Sequence, residues 1–205
     1  MDLMTTSIRR LVLFFTVLFG TLHAWKHELA LTLGSVRDQE RSLTSARLRL
    51  SQGLALQANY GYLLHAGKVA TVYVETHFLA NPQRRVTSAN SSLTRDIATL
   101  YLTPGLRIKL FPASRLSPWA AIGGGYALYE QRTFLLSGTP NPAARHLNRG
   151  ALDFGGGVDI RAWKMFSLRA EIRDFYAGSP AYNTRAISGG QHNVVAGGGL
   201  VLRFP

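Results

Sequence analysis

The chain has 205 residues, of which 46% are hydrophobic and 17% are charged, and 23 basic residues against 11 acidic ones give a net charge of +12. This composition excludes a wholly disordered chain, because enough apolar surface is available to form a folded domain. Cysteine is absent, which excludes disulfides and thiolate metal sites, and the length favours one domain.

The N-terminal segment has the layout of a secretory signal peptide. Arg9 and Arg10 precede an apolar run over residues 11–22, and a small residue follows at the expected cleavage position. The run is shorter than the roughly 20 apolar residues that a transmembrane helix needs. A buried N-terminal helix is the alternative. We therefore predict a signal peptide over residues 1–24 and one mature domain over residues 25–205, in which the 23 basic and 11 acidic residues fall to 21 and 10.

Beyond the signal peptide, apolar residues recur with a period of two, which is the signature of β-strands. Eight segments carry this pattern: residues 28–36, 46–64, 69–80, 96–111, 118–131, 151–162, 166–176 and 192–204. In the second segment one apolar phase runs from Leu48 to Leu64. The sixth segment is the clearest, with Val158 on one face and Asp159 on the other.

The connections between these segments alternate between long and short. Residues 37–45, 81–95, 132–150 and 177–191 are long connections, whereas residues 65–68, 112–117 and 163–165 are short ones. Short turns at one end and longer loops at the other are typical of an up-and-down membrane barrel, and the strand lengths match the roughly 9 to 11 residues needed to cross a bilayer. The sequence therefore predicts an all-β, eight-stranded antiparallel up-and-down transmembrane β-barrel. A soluble antiparallel sandwich also alternates its faces and is the competing architecture.

Charged residues fall on the polar phase of these segments. The set comprises Arg107, Lys109, Asp153, Asp159, Arg161, Arg169, Glu171, Arg173 and Arg203. Charge is costly on a lipid-facing surface and tolerated in a lumen, so we expect these side chains to point inward. Because the interior of an eight-stranded barrel is narrow enough to be filled by side chains, they should form a salt-bridge network rather than line a channel.

Aromatic residues lie near both ends of the segments. Phe111, Trp119, Trp163, Phe166 and Phe204 are close to the short turns or the chain end, and Phe78, Tyr129, Phe134, Phe175 and Tyr176 are close to the long loops. We interpret the two groups as the interfacial girdles of a membrane barrel. Core aromatics of a soluble sandwich are the alternative.

The C-terminal sequence GLVLRF over residues 199–204, the eight segments and the signal peptide resemble small outer-membrane barrels of the OmpA/OmpX type. Gly199, Leu202 and Phe204 match the C-terminal signal that the barrel assembly machinery reads in such proteins. The stretches SPW (residues 117–119) and RDFY (residues 173–176) also resemble uncharacterised outer-membrane β-barrel domain proteins of Gram-negative bacteria. Pro205 departs from this pattern, since the family usually ends on the aromatic residue. The resemblance implies a Gram-negative outer-membrane protein that is inserted by that machinery.

Three glycine triplets occur in the middle of strands, at residues 123–125, 155–157 and 197–199. A phosphate-binding loop would need glycines between a strand and a helix, and neither that arrangement nor a G-x-x-x-x-G-K-[ST] sequence is found. We instead expect these glycines to allow bending and to leave room for a large inward neighbour. No H-E-x-x-H metal motif and no cofactor motif is found, so neither a metal nor a cofactor is predicted.

Six arginines of the predicted long loops are candidates for anion binding. They are Arg84, Arg85, Arg132, Arg145, Arg149 and Arg185. Arginine binds phosphate in bidentate geometry, so these residues could hold the phosphates of lipopolysaccharide, although ordinary solvated loop charge is the alternative. Nucleic acid is not predicted as a partner, because the basic residues are dispersed and follow an export signal.

A lipid A-modifying enzyme is the competing function. Deacylase barrels carry a His and a Ser two residues apart with an acidic partner, and no histidine of this sequence has a serine at that spacing. A looser site could form from His77, Glu130, His146, Asp174, Ser179 and His192. We predict a non-enzymatic, monomeric barrel with a role in envelope structure or surface interaction.

Overall fold

The computed structural model describes residues 25–38, 41–42, 47–178, 182–183 and 189–205, so the predicted signal peptide, Ser179 and Arg185 lie outside the described residues. Its long strands are β1 (His27–Asp38), β2 (Gly53–Ala66), β3 (Ala70–Thr87), β4 (Asp96–Leu110), β5 (Leu116–Gln131), β6 (His146–Arg161), β7 (Phe166–Gly178) and β8 (Gly190–Phe204). Two short strands, Arg41–Ser42 and Arg47–Leu50, lie between β1 and β2. Across these ranges there is no helix that is long and apolar enough to span a membrane.

The eight long strands close into a barrel. Each strand pairs antiparallel with its neighbours in sequence, and β1 pairs with β8 from His27↔Phe204 to Asp38↔Asn193 without a register shift. First and last strands therefore leave no free sheet edge, which is the hallmark of a closed up-and-down topology. The prediction of an all-β, eight-stranded antiparallel barrel is confirmed.

The connections divide between the two ends of the barrel. Residues 67–69, 111–115 and 162–165 form short turns at one end, which we call the turn end, and residues 25 and 205 lie there too. The longer connections meet at the opposite end, which we call the loop end. The alternation of long and short connections therefore has the predicted pattern.

The outer wall of the barrel is apolar, and its interior is polar. Lipid-facing positions such as Leu31, Ile122 and Ile172 are 58%, 66% and 57% exposed, whereas the inward neighbours of β4, Arg107 and Lys109, are 0% and 1% exposed. A soluble sandwich would bury its apolar faces between two sheets. The observed arrangement is the reverse, and it is that of a barrel surrounded by lipid.

Two segments differ from their predicted extent. The second segment does not keep a single phase, because the chain leaves the sheet at residues 51–52: Leu48 is 2% exposed, whereas Leu54 on β2 is 54% exposed. Strand β3 continues to Thr87 and contains a bulge, at which its register with β4 passes from Asn81↔Thr99 to Arg84↔Ile97. One extra residue in β3 at this point reverses which side chains face inward.

An apolar cluster fills the loop end of the interior. Leu48, Leu93 and Tyr182, from the connections, are each at most 2% exposed and belong to one cluster with residues of the strands. The strand members include Val36, Ala55, Leu79, Val86, Ile97, Tyr101, Tyr129, Phe175 and Val195. We call this set the cap cluster, and it closes the barrel above its polar interior.

The glycine triplet of β6 lies where large side chains pack against the inner face of the barrel. A Cβ added to Gly155 would lie 2.7 Å from Arg173 Cγ, and one added to Gly157 would lie 2.7 Å from Trp119 Cζ2. The large inward neighbours expected from the sequence are therefore Arg173 and Trp119. A Cβ at either position would also clash with the backbone of β7, at Ile172 O and at Ala170 O, so only glycine fits there.

Candidate functional site

The turn-end half of the lumen is organised around the carboxylate of Glu28. Glu28 lies on the inward face of β1, opposite the lipid-facing Leu29, and is 1% exposed. Its Oε1 lies 2.6 Å from Arg107 Nη2 and accepts a hydrogen bond from Arg169 Nη2 at 2.8 Å, while Oε2 accepts one from Lys109 Nζ at 2.8 Å. One carboxylate thus joins cations from β4 and β7 across the interior.

Two further carboxylates form hydrogen bonds with Arg173. Arg173 Nη2 donates to Glu75 Oε1 at 2.9 Å, and its Nη1 donates to Asp153 Oδ2 at 2.8 Å. Glu75 Oε2 accepts from Arg107 Nε at 2.7 Å, so Glu75 connects this pair to the group around Glu28. Charge-assisted hydrogen bonds of this kind are the strong ones in proteins, and here they run from strand to strand without a break.

Asp159 receives the third set of contacts. Arg169 donates to it through Nε at 2.8 Å and through Nη2 at 3.0 Å, which is the bidentate geometry that suits a guanidinium and a carboxylate. Lys109 Nζ also forms an ion pair with Asp159. Lys109 and Arg169 are therefore shared between Asp159 and Glu28, which makes the contacts one network.

Two aromatic rings complete the packing of this network. The guanidinium carbon of Arg169 lies 4.8 Å from the centroid of the Trp119 ring, and that of Arg107 lies 4.6 Å from the Tyr73 ring. Both are cation–π distances, so the rings stabilise the cations while excluding water. Trp119 is 4% exposed and lies inside the barrel, so its prediction as a girdle residue is wrong.

Charge is balanced in the described part of this half of the lumen. The buried carboxylates are Glu28, Glu75, Asp153, Asp159 and Glu171, and the cations are Arg107, Lys109, Arg169 and Arg173, with Arg203 at the mouth. Five negative groups therefore face five positive ones. The interior is occupied by paired side chains, and the excess positive charge of the protein lies elsewhere.

The structure brings together most of the lumen residues that the sequence suggested. Seven of the nine lie in the buried network, and Arg203 reaches it from the turn end, 3.4 Å from Glu28. Arg161 does not join it, because its guanidinium donates to the backbone oxygens of Pro112 and Ala113 in a turn. Glu28 and Glu75 were missed as members, although both stand on the polar phase of their strands, opposite leucine or valine neighbours.

Polar residues occupy the middle of the lumen above this network. His77 is fully buried, with Nδ1 3.2 Å from Asn59 Nδ2 and Nε2 3.2 Å from Gln57 Oε1. Gln57 Nε2 also donates to Glu171 Oε1 at 3.0 Å, which connects this layer to β7. His77 is therefore enclosed in the lumen, away from the exposed His146 and His192 of the looser enzyme site.

Three of the aromatics assigned to girdles point inward instead. Besides Trp119, these are Tyr129 and Phe175, which are 1% and 0% exposed and belong to the cap cluster. The residues near the turn end that do face outward include Phe111, Trp163 and Phe166, at 51%, 74% and 43% exposure; near the loop end they include Phe134 and Tyr176, at 50% and 39%. Period-two phase, rather than nearness to a loop, decides which aromatic meets lipid.

Of the six arginines proposed for anion binding, Arg84 is placed wrongly by the sequence. It is 2% exposed and lies inside the barrel, where its Nε donates to the backbone oxygen of Ser51 at 3.0 Å. The bulge in β3 is the cause, since it turns Arg84 inward and leaves Arg85 outside. Arg149 lies within β6 and is half-buried.

An exposed basic surface nevertheless surrounds the loop end. Arg85, Arg132 and Arg145 are exposed there, and so are four arginines that the sequence reading did not single out: Arg37, Arg47, Arg49 and Arg95. We call these seven residues the basic rim. Arg145 Nη2 donates to Glu130 Oε1 at 2.6 Å, and this hydrogen bond lowers the pKa of the Glu130 carboxyl. Glu130 is the last but one residue of β5 and lies beyond the apolar part of the wall.

The residues of the looser enzyme site do not assemble in the described part of the chain. They form two separate pairs: Asp174 Oδ2 lies 2.6 Å from His192 Nδ1 on the outer wall of β7 and β8, and Glu130 stands opposite His146 in the register of β5 and β6. The His192 ring also packs 4.7 Å from that of Tyr176. Within the described ranges no serine or threonine hydroxyl hydrogen-bonds to the pair of Asp174 and His192, and no group of three His, Asp or Glu side chains is placed to hold a metal ion.

Comparisons with solved structures identify the fold. Neisserial surface protein A (NspA) is similar to this chain with a TM-score of 0.55 and 12% identity over 88% of this chain and 98% of that one. Outer membrane protein OprG from Pseudomonas aeruginosa has a TM-score of 0.57 and 13% identity over 89% and 97% of the two chains. Outer membrane protein AlkL, determined in DMPC lipid bilayers, has a TM-score of 0.51 and 12% identity over 90% and 93%.

No family model and no curated protein matches the sequence. At identities of 12–13% the similarity establishes the fold, and that fold is the small outer-membrane β-barrel, as the resemblance implied. The apolar outer wall suits the chain to that membrane. In such barrels short turns face the periplasm and longer loops face outward, so we expect the turn end to be periplasmic and the loop end external.

Proposed function

We propose that the protein is a non-enzymatic outer-membrane barrel that does not conduct solutes and whose basic rim binds the phosphate groups of lipopolysaccharide. The observation that supports this most directly is the distribution of charge. Charges in the turn-end half of the lumen are buried and paired with one another, whereas seven arginines at the external end are exposed. A barrel with this distribution interacts through its surface rather than through its interior.

The filled lumen argues against a pore. Glu28, Arg107 and Asp159 are each at most 1% exposed and are linked through shared cations across the barrel axis. The cap cluster closes the other end of the interior with apolar side chains. A solute would have to break several charge-assisted hydrogen bonds to pass, and each broken contact would leave a charge without its partner.

The basic rim has the chemistry that phosphate binding needs. A guanidinium offers two parallel N–H donors that match phosphate oxygens, and several guanidinium groups close together attract an anionic surface. Among the described residues of the external end, the carboxylates of Glu130, Asp96 and Asp174 are paired with Arg145, Arg95 and His192, and they are outnumbered by the seven arginines of the rim. The local field is therefore positive, as a layer of lipid phosphates requires.

The experiment compares two triple variants that remove equal charge from opposite ends. Arg85→Gln, Arg132→Gln and Arg145→Gln together should weaken binding of the detergent-solubilised protein to lipopolysaccharide roughly tenfold, since each exposed charge contributes about 0.2–1 kcal/mol. The matched control combines Lys26→Gln, Lys68→Gln and Arg115→Gln, which lie at the periplasmic end. Added salt should weaken wild-type binding more than that of the rim variant.

Dephosphorylated lipopolysaccharide serves as the second control. Wild-type protein should bind it as weakly as the rim variant binds the phosphorylated form. Equal loss of binding in the two triple variants, or undiminished binding of the dephosphorylated lipid, would refute the proposed role of the rim.

We also propose that residues 1–24 direct export and are removed, and that Gly199, Leu202 and Phe204 are read by the barrel assembly machinery. Phe204 is the last residue of β8 and stacks on His27 with ring centroids 5.3 Å apart. Phe204→Ala should reduce the folded fraction recovered from cell envelopes while leaving refolding of the purified protein in detergent largely unchanged. Equal losses in the two measurements would mean that Phe204 acts only through the stability of the barrel.

A further inference from the structure

The outer wall near the periplasmic end carries an apolar groove. Its lower part, of about 880 Å³, is lined by Trp163, Lys164, Phe166, Leu168 and Leu200. Its upper part, of about 660 Å³, continues across β8, β1 and β2 and shares Phe166 and Leu200 with the lower part. The two parts form one continuous depression on the lipid-facing wall.

Small residues give the groove its depth. Gly198 of β8 pairs with Ala170 of β7, and both face outward. On its other side Gly198 pairs with Leu33 of β1, whose large side chain is 63% exposed. Leu31 and Leu200 pair with each other two positions nearer the turn end and are 58% and 57% exposed, so large side chains border Gly198 on β1 and on its periplasmic side.

The periplasmic end of the groove is positively charged. Lys164 lines the lower part, and it has no ion-pair partner in the described ranges of the chain. Lys26, Lys68 and Arg115 are exposed at the same end, whereas the carboxylate of Glu28 there is buried in the lumen. Exposed aspartate and glutamate side chains are absent from the described residues at this end.

Trp163 marks the depth at which the groove meets the membrane surface. Its side chain is 74% exposed in the turn beside Lys164. Exposed tryptophans favour the interface between lipid tails and headgroups, so Lys164 lies at the level of lipid phosphates. The groove is apolar along its length and ends at a cation at the membrane surface. It therefore suits both parts of an anionic phospholipid, the acyl chains and the headgroup.

We propose that this groove binds one anionic phospholipid of the periplasmic leaflet, with its acyl chains against Phe166, Leu168 and Leu200 and its phosphate at Lys164. Shape accounts for retention of the chains, because a groove buries more apolar area than a flat wall does. Charge accounts for the choice of headgroup, because an anionic lipid adds net attraction that a zwitterionic lipid lacks. The site lies at the opposite end from the basic rim, so either proposal can fail without the other.

Native mass spectrometry of the protein released from lipid nanodiscs tests this proposal. Nanodiscs would contain phosphatidylcholine with a minor fraction of phosphatidylglycerol, and lipid retained on the barrel would be counted. We expect one molecule of phosphatidylglycerol to be retained, at least several-fold above its share in the bilayer. Lys164→Gln should abolish the preference for phosphatidylglycerol, and Leu200→Ala should reduce retention of both lipids.

Each variant has a matched control elsewhere on the barrel. Lys68→Gln removes the same charge from another periplasmic turn, and Leu152→Ala shortens a side chain that is 55% exposed on β6, close to the 57% of Leu200. Both controls should retain lipid as the wild type does. Equal retention of the two lipids by the wild type would overturn the proposal. So would a loss with Lys68→Gln as large as that with Lys164→Gln, which would indicate a diffuse lipid shell.

Discussion

Glu28 and Arg169 lie 141 positions apart in the sequence, and Arg169 Nη2 donates to Glu28 Oε1 at 2.8 Å in the turn-end half of the lumen. The contact joins β1 to β7, two strands that are not neighbours in the wall, because β8 lies between them. Backbone pairing within the sheet gives these two strands no direct contact. The lumen network therefore connects the first strand directly to the seventh.

Glu28→Gln should destabilise the barrel strongly. The substitution keeps the shape of the side chain but removes the charge that faces Arg107, Lys109 and Arg169. Breaking a buried ion pair by removing one partner costs about 3–5 kcal/mol, because it leaves an uncompensated buried charge. Urea unfolding, followed by the gel migration of folded and unfolded barrel, measures the free energy of unfolding.

Glu130→Gln is the matched control for this prediction. Glu130 also pairs with an arginine, Arg145, but its ion pair is largely exposed to solvent. Exposed pairs contribute little to stability, so the control should unfold close to the wild-type urea concentration. Similar unfolding of the Glu28 and Glu130 variants would contradict the view that the lumen is a closed network.

An arginine on the lipid-facing wall should be costly in the middle of the wall and tolerated near its edge. Ile122→Arg places the charge halfway up β5, where we expect a loss of about 2–4 kcal/mol. Leu116→Arg, at the start of the same strand, should cost about 0–1 kcal/mol, because the side chain can reach the periplasmic surface. Unfolding in lipid vesicles measures both. Equal costs would mean that the membrane does not surround β5 at the expected height.

Position across the membrane also changes the expected cost of substituting two neighbouring residues of β6. From the alternation alone, Ile160→Arg should cost more than Asp159→Asn. Ile160, however, is the last but one residue of β6, near the periplasmic edge, whereas Asp159 receives two hydrogen bonds from Arg169. The structure reverses the expected order, and Asp159→Asn should be the more destabilising change.

The sequence predicted the barrel because period-two alternation, strand length and connection length are all local properties. The period-two alternation also shows which residues face inward and which face outward wherever a strand is regular, as for Asp153 and Asp159 on β6. Arg84 was misplaced because a bulge is one extra residue, and nothing in the local pattern shows where the chain inserts it. Leu48 was misplaced because its apolar partners come from distant connections, including Leu93 and Tyr182.

Pairing within the lumen was also beyond the reach of the sequence. The polar phase named the residues that point inward, but which carboxylate meets which cation depends on the stagger of eight strands around the barrel. Arg173 illustrates this, because its partners Glu75 and Asp153 come from β3 and β6, on opposite sides of it in the chain. Such contacts follow from closure, which alternation alone does not specify.

Gly157→Ala should destabilise the barrel, whereas Gly150→Ala on the same strand should not. A Cβ on Gly157 would contact the backbone oxygen of Ala170 and lie 2.7 Å from Trp119 Cζ2, while one on Gly150 would meet nothing within 4 Å. Overpacking of this kind costs about 1–3 kcal/mol. Urea unfolding of both variants measures the difference. The double variant Trp119→Ala/Gly157→Ala tests which group causes the clash. If it were as stable as Trp119→Ala alone, the clash would be assigned to the indole of Trp119.

The barrel should not conduct ions. In planar lipid bilayers the wild-type protein should give no stepwise current, because the lumen network and the cap cluster block the axis at two levels. Folded protein must be demonstrated in the same preparation by heat-modifiable migration in gels. Discrete current steps from such a preparation would mean that the interior opens, and the proposed surface role would then be incomplete.

The last prediction separates surface binding from catalysis. An acyl-transfer or deacylation site needs a nucleophile held by a base that is itself oriented by a third group. Asp174 and His192 supply an oriented base on the lipid-facing wall, but the described residues place no serine or threonine hydroxyl against it. Deletion of the gene, and the variants Asp174→Asn and His192→Ala, should therefore leave the acyl chains of lipid A unchanged in mass spectra of extracted lipid. A lipid A species that gains or loses an acyl chain only when wild-type protein is present, and not with His192→Ala, would identify this pair as part of an enzyme and overturn the non-enzymatic assignment.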